Sequence, residues 1–164
     1  MSVEAFVLHD GSIVNGISEL KRNHFEIYKS FCNNSLYNSS AILSGKNIIG
    51  GNSTERALLD SIKKQVTPDY SKTSDKIPFE SQSKYSSAKH EDKLYLKGAP
   101  EVVIPKINED SFKRLLVEYA ISEAQKDGKR VILMSENEKF TCAAIICDPL
   151  RREAKQSVET LRQA

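Results

Sequence analysis

Lys97-Gly98-Ala99-Pro100-Glu101 combines a strand end, a turn and a helix start in this 164-residue chain. Residues 93–97, which lead into this stretch, alternate between polar and apolar side chains as a short strand would. Gly98-Ala99 can turn the chain. Pro100 favours the first position of a helix, and Pro105 ends that helix. A strand that passes directly into a short helix is therefore predicted at the centre of the sequence.

Further strands are predicted on both sides of this stretch. Their predicted ranges are 3–9, 13–14, 76–79, 84–90, 130–134 and 140–147. Asp10-Gly11 and the Glu-Asn-Glu segment at 136–138 are turn signals between neighbouring strands. Along the sequence, the predicted strands form hairpins, and the predicted helices are inserted between these hairpins. This order predicts an α+β fold with a largely antiparallel sheet and flanking helices. The order of the strands stays open.

Apolar spacing predicts the helices. One helix face is indicated by Ile17, Leu20, His24, Ile27, Tyr28 and Phe31, and the segment 33–51 is expected to be loop. Ser53 or Thr54 is expected to cap a second helix. The clearest amphipathic helix would bury Phe112, Leu115, Leu116, Tyr119, Ala120 and Ala124. A charged helix is expected over 151–164.

Composition excludes several classes of protein. A net charge of +2 is too small to indicate nucleic-acid binding. No apolar run reaches the roughly 18–20 residues of a membrane span. Cys32, Cys142 and Cys147 have no framework spacing and are expected to be reduced.

Several familiar sites are also missing from the sequence. There is no G-x-x-x-x-G-K-[ST] loop, no G-x-G-x-x-G and no G-x-S-x-G. The histidines, His9, His24 and His90, are far apart and lack paired cysteines, so no metal site is predicted. A phosphate-binding loop of the usual kind is therefore not available to this chain.

ATP could still be held by separate side chains. An adenine ring needs a flat apolar partner, its amino group needs an acceptor, and the triphosphate needs Lys or Arg. Phe79, Glu55, Lys84, Lys97 and Arg130 supply one group for each task. Their spacing does not show that they converge.

The order of short motifs resembles the cytosolic nucleotide-binding domain of P-type cation-transporting ATPases, in the branch that includes the calcium pumps. K-G-A-P-E at 97–101 matches a family motif in full, and G-x-x-T-E-x-A-L is matched at 51–58. Further matches lie at 1–3, 32–35, 78–84, 128–131 and 148–151. Together these motifs extend over nearly the whole chain.

The resemblance implies a role for each matched residue. Phe79 would stack on adenine, and Glu55 would accept from its amino group with Thr54 and Asn52 beside it. The remaining ATP-binding residues would be Lys84, Lys97, Gly98 and Arg130, with Arg130 at the phosphates. Asp148 and Arg151 would belong to a hinge. No residue of this chain would be catalytic, because neither Asp-Lys pair is followed by the Thr-Gly of the phosphorylation motif.

The resemblance also implies an organisation and partners. Residues 1–147 would form the nucleotide-binding domain, and residues 148–164 the hinge and first helix returning to a separate phosphorylation domain. The partners would be ATP and the pump's own phosphorylation, actuator and membrane domains, at the cytoplasmic face of a membrane. Mg²⁺ would be needed only in the full-length pump, which would transport calcium or a related cation.

Some positions depart from the family pattern. Ser81 stands where an Arg is common, Ser86 where many calcium pumps have Met, and Leu150 where a second Pro is usual. Two other interpretations therefore stay open. One is a free-standing nucleotide-sensing or regulatory protein with the same fold, and the other is an interaction module with an inactive pocket.

Overall fold

A seven-stranded antiparallel sheet forms the centre of the protein, in a computed structural model that describes residues 1–149. The strand order is β2-β1-β9-β8-β7-β6-β5. The strands are β1 (Ser2–Val7), β2 (Ile13–Asn15), β5 (Thr73–Ile77), β6 (Tyr85–His90), β7 (Lys93–Gly98), β8 (Arg130–Glu136) and β9 (Lys139–Cys147). A separate two-stranded sheet pairs β3 (Ile42–Ser44) with β4 (Asn47–Ile49). The predicted α+β class with a largely antiparallel sheet is confirmed.

Tight hairpins build most of this sheet. Glu91 and Asp92 between β6 and β7, and Asn137 and Glu138 between β8 and β9, all have positive φ. Two successive residues of positive φ give a turn whose twist matches that of the flanking strands. Each of these strand pairs is consequently antiparallel and adjacent in the sheet.

Both faces of the sheet are covered by helices. One core packs α1 (Ile17–Asn23), α2 (Phe25–Tyr37) and α3 (Ser53–Ile62) on one face, and the other packs α4 (Pro100–Val103) and α5 (Arg114–Lys126) on the opposite face. Within β9, Cys142, Ala144 and Ile146 belong to the first core, whereas Ala143 and Ile145 belong to the second. Successive side chains of a strand point to opposite faces, so the apolar run of β9 serves both cores.

The first helical region differs from the prediction. A single helix through Phe31 was expected, but the chain breaks at His24 (φ −141°, ψ 59°) and α2 then continues to Tyr37. The segment 33–51 is not simply loop, because it contains the end of α2 and the β3–β4 hairpin. Its polar composition suggested exposure, yet Asn34 is buried and its side-chain amide donates to the backbone oxygens of Leu96 and Ser135, at 3.0 and 3.2 Å.

The buried face of α5 was predicted correctly only for Phe112, Ala120 and Ala124. Leu115 and Tyr119 are exposed, as is Leu116, while Val117, Ala120 and Ile121 face the core. The helix begins at Arg114, after an extended Phe112 that stacks on Phe140. Counting Phe112 as the first residue of the helix therefore rotated the predicted face.

Two further points concern the expected C-terminal helix and membrane-spanning segments. The helix expected over 151–164 lies outside the described residues. Among residues 1–149, the structure contains no helix long and apolar enough to cross a bilayer.

Candidate functional site

A cavity of about 160 Å³ lies where α3 begins against β7 and β8. It is lined by Asn52, Ser53, Thr54, Glu55, Phe79, Lys97, Gly98, Arg130 and Ile132. Every predicted ATP-binding residue except Lys84 is among them. Four separate segments of the chain therefore meet at one place.

A second cavity of about 410 Å³ adjoins the first. Phe79, Arg130 and Ile132 line both cavities, and Lys84 lines the second. The smaller space is below the roughly 300–1,000 Å³ of a complete small-molecule site. A ligand of the size of a nucleotide would thus have to extend from one cavity into the other.

The start of α3 is a capping box that holds Glu55. Asn52 is the N-cap, and its side-chain oxygen accepts from the backbone N–H of Glu55 at 2.8 Å. The Glu55 carboxylate returns the bond, since Oε1 accepts from the backbone N–H of Asn52 at 3.0 Å. The cap is therefore Asn52 and not Ser53 or Thr54, because only Asn52 precedes the helix with an extended backbone.

Glu55 has a second backbone partner outside its own helix. Its Oε2 accepts from the backbone N–H of Ser40 at 2.8 Å, and only 3% of the residue is exposed. A carboxylate has about four lone-pair positions, so two bonds do not exhaust its capacity. Glu55 can stabilise the helix start and still offer an acceptor to the cavity.

Lys97 is a residue of β7 that lies beside Glu55, and it is only 4% exposed. Its ammonium donates to the backbone oxygen of Asn38 and, at 2.9 Å, to the hydroxyl of Ser86. Burial lowers the pKa of Lys97 to about 8, although Glu55 acts in the opposite direction, and Lys76 lowers it further. This lysine is therefore a buried donor and not the exposed strand-end charge that is usual for Lys.

Gly98 is required by close packing of the backbone. A Cβ at this position would lie 2.3 Å from the backbone oxygen of Lys84 and 2.7 Å from the Cα of Tyr85. The next residue, Ala99, donates its backbone N–H to the same Lys84 oxygen at 3.0 Å. The glycine thus lets β6 approach β7 at the cavity.

Phe79 forms an apolar wall between the two cavities. It lies in the loop between β5 and β6 and is 39% exposed. It belongs to neither core, so it is not the ordinary core residue that a Phe usually is. A flat apolar ring next to buried polar groups is the arrangement that binds planar heterocycles.

Arg130, the first residue of β8, links the cavity to the end of β9. Its Nη1 donates to the hydroxyl of Thr54 at 3.0 Å, and its Nη2 lies 3.7 Å from a carboxylate oxygen of Asp148. The predicted hinge residue Asp148 therefore contacts a predicted site residue. The other hinge residue, Arg151, lies outside the described residues.

Lys84 is exposed at the second cavity and is the site residue that the first cavity does not include. Its φ is +61°, and its backbone N–H donates to the oxygen of Glu80 at 2.8 Å, which closes the loop after Phe79. Lys84 and Arg130 give this cavity two cationic side chains, and Glu101 is its acidic member. Lys129 also lines the cavity, but its ammonium pairs with Glu4 and Asp127. A group with several negative charges would fit there.

Reasoning from the sequence missed two residues of this region. Ile132 adds an apolar surface to the first cavity, and Asn38, which does not line the cavity, supplies the carbonyl that accepts from Lys97. The alternation of β8 could have indicated Ile132. Nothing local indicates Asn38, because its partners come from distant strands.

A larger, shallower groove of about 870 Å³ lies elsewhere, between β1, β2 and α5. Its lining mixes Glu4, Glu123 and Asp127 with Lys126 and Lys129. Its aromatic lining residue, Tyr119, is exposed, and the side chains of Glu4 and Lys129 are both partly exposed. Size alone therefore does not make it the better candidate.

No protein-family model matches this chain, and no curated protein matches it either. Within residues 1–149, no group of three His, Cys, Asp or Glu side chains is placed to hold a metal ion.

Proposed function

We propose that this protein binds ATP, as the nucleotide-binding domain of a P-type cation-transporting ATPase does. The observation that supports this function most strongly is the convergence of Phe79, Glu55, Lys97 and Arg130 at one cavity. These residues were selected by a resemblance of short motifs and not by their spacing. Their meeting in the fold is independent of that selection.

The base would occupy the smaller cavity. Adenine presents an amino donor beside a ring-nitrogen acceptor, and guanine presents two acceptors at the same edge. Glu55 offers an acceptor 3.9 Å from the donor Lys97, so the adenine edge matches this pair and the guanine edge does not. Phe79 would stack on the ring, which is worth roughly 1–3 kcal/mol per base.

The phosphates would lie in the second cavity. Arg130 borders both spaces and its planar guanidinium suits bidentate contact with phosphate. Lys84, which lines the same cavity, would add a second positive charge. Ser81 lines the same cavity, so a hydroxyl stands where the family often has an arginine.

In a complete pump, this domain would present ATP to an aspartate of a separate phosphorylation domain. Such transfer depends mainly on positioning and on neutralising charge, with Mg²⁺ bridging the phosphates. Asp148, next to Arg130, would lie at the hinge through which the domain moves. The transported ion would be calcium or a related cation, and the domain would be at the cytoplasmic face of the membrane.

Equilibrium titration with ATP, ADP, AMP and adenosine tests this function. One stacked ring, one amine contact and a few exposed cations predict a dissociation constant for ATP between about 0.1 and a few mM. Affinity should fall as phosphates are removed, because Arg130 and Lys84 lose their partners. Absence of saturable ATP binding at about 10 mM would contradict the proposal.

A further inference from the structure

A continuous chain of buried polar side chains lies between α2 and the sheet, beneath the smaller cavity that is proposed to hold the base. Its members Asn34, Asn38, Ser86 and Lys97 are each at most 4% exposed. Buried polar groups destabilise a fold unless they are hydrogen-bonded, and a fully bonded network fixes its members in one arrangement. This chain of bonds therefore defines where the Lys97 ammonium lies.

Two hydrogen bonds donated by the Lys97 ammonium leave it one further N–H donor. An ammonium has three N–H groups. One donates to the backbone oxygen of Asn38 and another to the Ser86 hydroxyl at 2.9 Å. The third is left for Glu55, whose Oε2 is 3.9 Å away, or for a ligand in the cavity.

Asn38 is itself held by α2 and β6. Its side-chain amide donates to Asn34 Oδ1 at 2.9 Å and to the backbone oxygen of Ser86 at 3.0 Å. Asn34 in turn donates to backbone oxygens of β7 and β8. The two acceptors of Lys97 are thus tied to each other and to the sheet.

We propose that Ser86 is a positioning residue of the nucleotide site, which holds the Lys97 ammonium so that its remaining N–H faces the base beside Glu55. This inference rests on the proposed ATP binding. Methionine, which many calcium pumps have at this position, has only a weak thioether acceptor. In this chain, Ser86 therefore adds an acceptor for the buried lysine.

The pKa of Lys97 can show whether the Ser86 hydroxyl accepts a hydrogen bond from the ammonium. The charged groups that face the ammonium are Glu55 from α3 and Lys76 from β5, while Asn38 from α2 and Ser86 from β6 are neutral. A hydrogen bond to the charged form of a group favours that form. Removal of the Ser86 hydroxyl should therefore lower the pKa of Lys97 further.

Three variants test the proposal: Ser86→Ala, Ser86→Thr and Ser86→Met. The first measurement is an NMR titration of the Lys97 side chain without nucleotide. We expect a lower Lys97 pKa in Ser86→Ala and Ser86→Met, and an unchanged pKa in Ser86→Thr, which keeps the hydroxyl. The second measurement is ATP affinity at pH 7, where we expect a loss of about 3- to 10-fold in Ser86→Ala and recovery in Ser86→Thr.

Ser135→Ala is the matched control. Ser135 is a buried serine of β8, the strand that pairs with the β7 strand of Lys97, and its hydroxyl has no hydrogen-bond partner among residues 1–149. Its replacement should change neither the Lys97 pKa nor ATP affinity. If Ser86→Ala does not fold, Ser86→Cys replaces it, because sulfur keeps the size and weakens the acceptor.

An unchanged Lys97 pKa in a folded Ser86→Ala or Ser86→Cys protein would overturn the proposal, as would equal effects of Ser86→Ala and Ser135→Ala. The titration without nucleotide separates this outcome from failure of the proposed function. If the unaltered protein does not bind ATP, the proposed function fails, and the positioning of Lys97 for ATP fails with it. A lowered Lys97 pKa in Ser86→Ala would then show only that Ser86 holds the lysine.

Discussion

The ammonium nitrogen of Lys97 lies 3.9 Å from a carboxylate oxygen of Glu55, and both side chains are almost completely buried. Removing one partner of a buried ion pair leaves an uncompensated charge, which costs roughly 3–5 kcal/mol. The pair therefore makes the stability of the domain depend on groups that would also contact the base.

Glu55→Gln should destabilise the fold strongly. The substitution keeps the shape of the side chain but leaves Lys97 without its countercharge, and we expect a loss of about 3–5 kcal/mol in the free energy of unfolding. Urea denaturation measures this loss. Glu26→Gln is the control, because the Glu26–Lys29 pair is exposed and should contribute about 0–1 kcal/mol. Equal losses in the two variants would show that burial of the Glu55–Lys97 pair has no energetic consequence.

Lys97 should make stability depend on pH in the alkaline range. Its pKa is lowered from 10.5 to about 8 in the folded protein, mainly by burial. Between these two values the unfolded chain binds a proton that the folded protein has released, so this group makes the free energy of unfolding rise with pH. Below the pKa of the folded protein, Lys97 is protonated in both the folded and the unfolded state. The stability that Lys97 contributes above pH 10.5 is then lost.

The measurement compares the unaltered protein with Lys97→Met in urea at pH 7.5 and pH 9.5. We expect the stability of the unaltered protein, relative to the variant, to increase at the higher pH. The variant cancels the contributions of the other titrating groups. A difference that is the same at both pH values would mean that the pKa of Lys97 is not lowered.

Phe79→Ala should weaken ATP binding without unfolding the domain. Loss of base stacking costs roughly 1–3 kcal/mol, whereas removal of a core Phe costs roughly 3–5 kcal/mol of stability. Phe79 is partly exposed and outside both cores, so the melting temperature should change little. Ile77→Ala, a nearby exposed apolar residue of β5, is the control for ATP affinity. A large fall in melting temperature with unchanged affinity would make Phe79 a structural residue.

Arg130→Ala should weaken ATP more than adenosine. The guanidinium borders the cavity proposed for the phosphates and is partly exposed, so we expect a loss of about 3- to 10-fold for ATP and little change for adenosine. Arg114→Ala removes an arginine of α5 that pairs with Glu109 before the helix and with Glu118 in it, and it should affect neither ligand. Titration calorimetry gives all the affinities. The same loss for ATP and adenosine would place Arg130 at the base and not at the phosphates.

Most strands of the seven-stranded sheet were predictable because their signals are local, whereas β3 and β4 were missed and β5 was predicted a few residues too late in the chain. The hairpins β6–β7 and β8–β9 were predicted within a few residues, since alternation and turn residues lie next to each other in the sequence. The end of α2 was not predictable, because Asn34 and Asn38 are polar. Their burial depends on backbone acceptors in β6, β7 and β8, which only the complete fold brings near.

The candidate site was predictable only in part. Ser53 and Thr54 indicated a helix start in this region, although the structure places the cap at Asn52. The side chains Glu55, Phe79 and Arg130 have no spacing that relates them, because the sheet brings them together from different hairpins. Their selection came from the resemblance, and Ser86 was noted only as a departure from it.

The amide NMR spectrum of the protein during titration with ATP and, separately, with GTP is the most direct test of an adenine site at this cavity. We predict saturable shifts at the neighbours of Phe79, Glu55 and Lys97, with weaker binding of GTP because its carbonyl would face the Glu55 carboxylate. Equal shifts and equal affinities for the two nucleotides would contradict the adenine site. Shifts confined to the groove between α5 and the β1–β2 hairpin would contradict the location of the site itself.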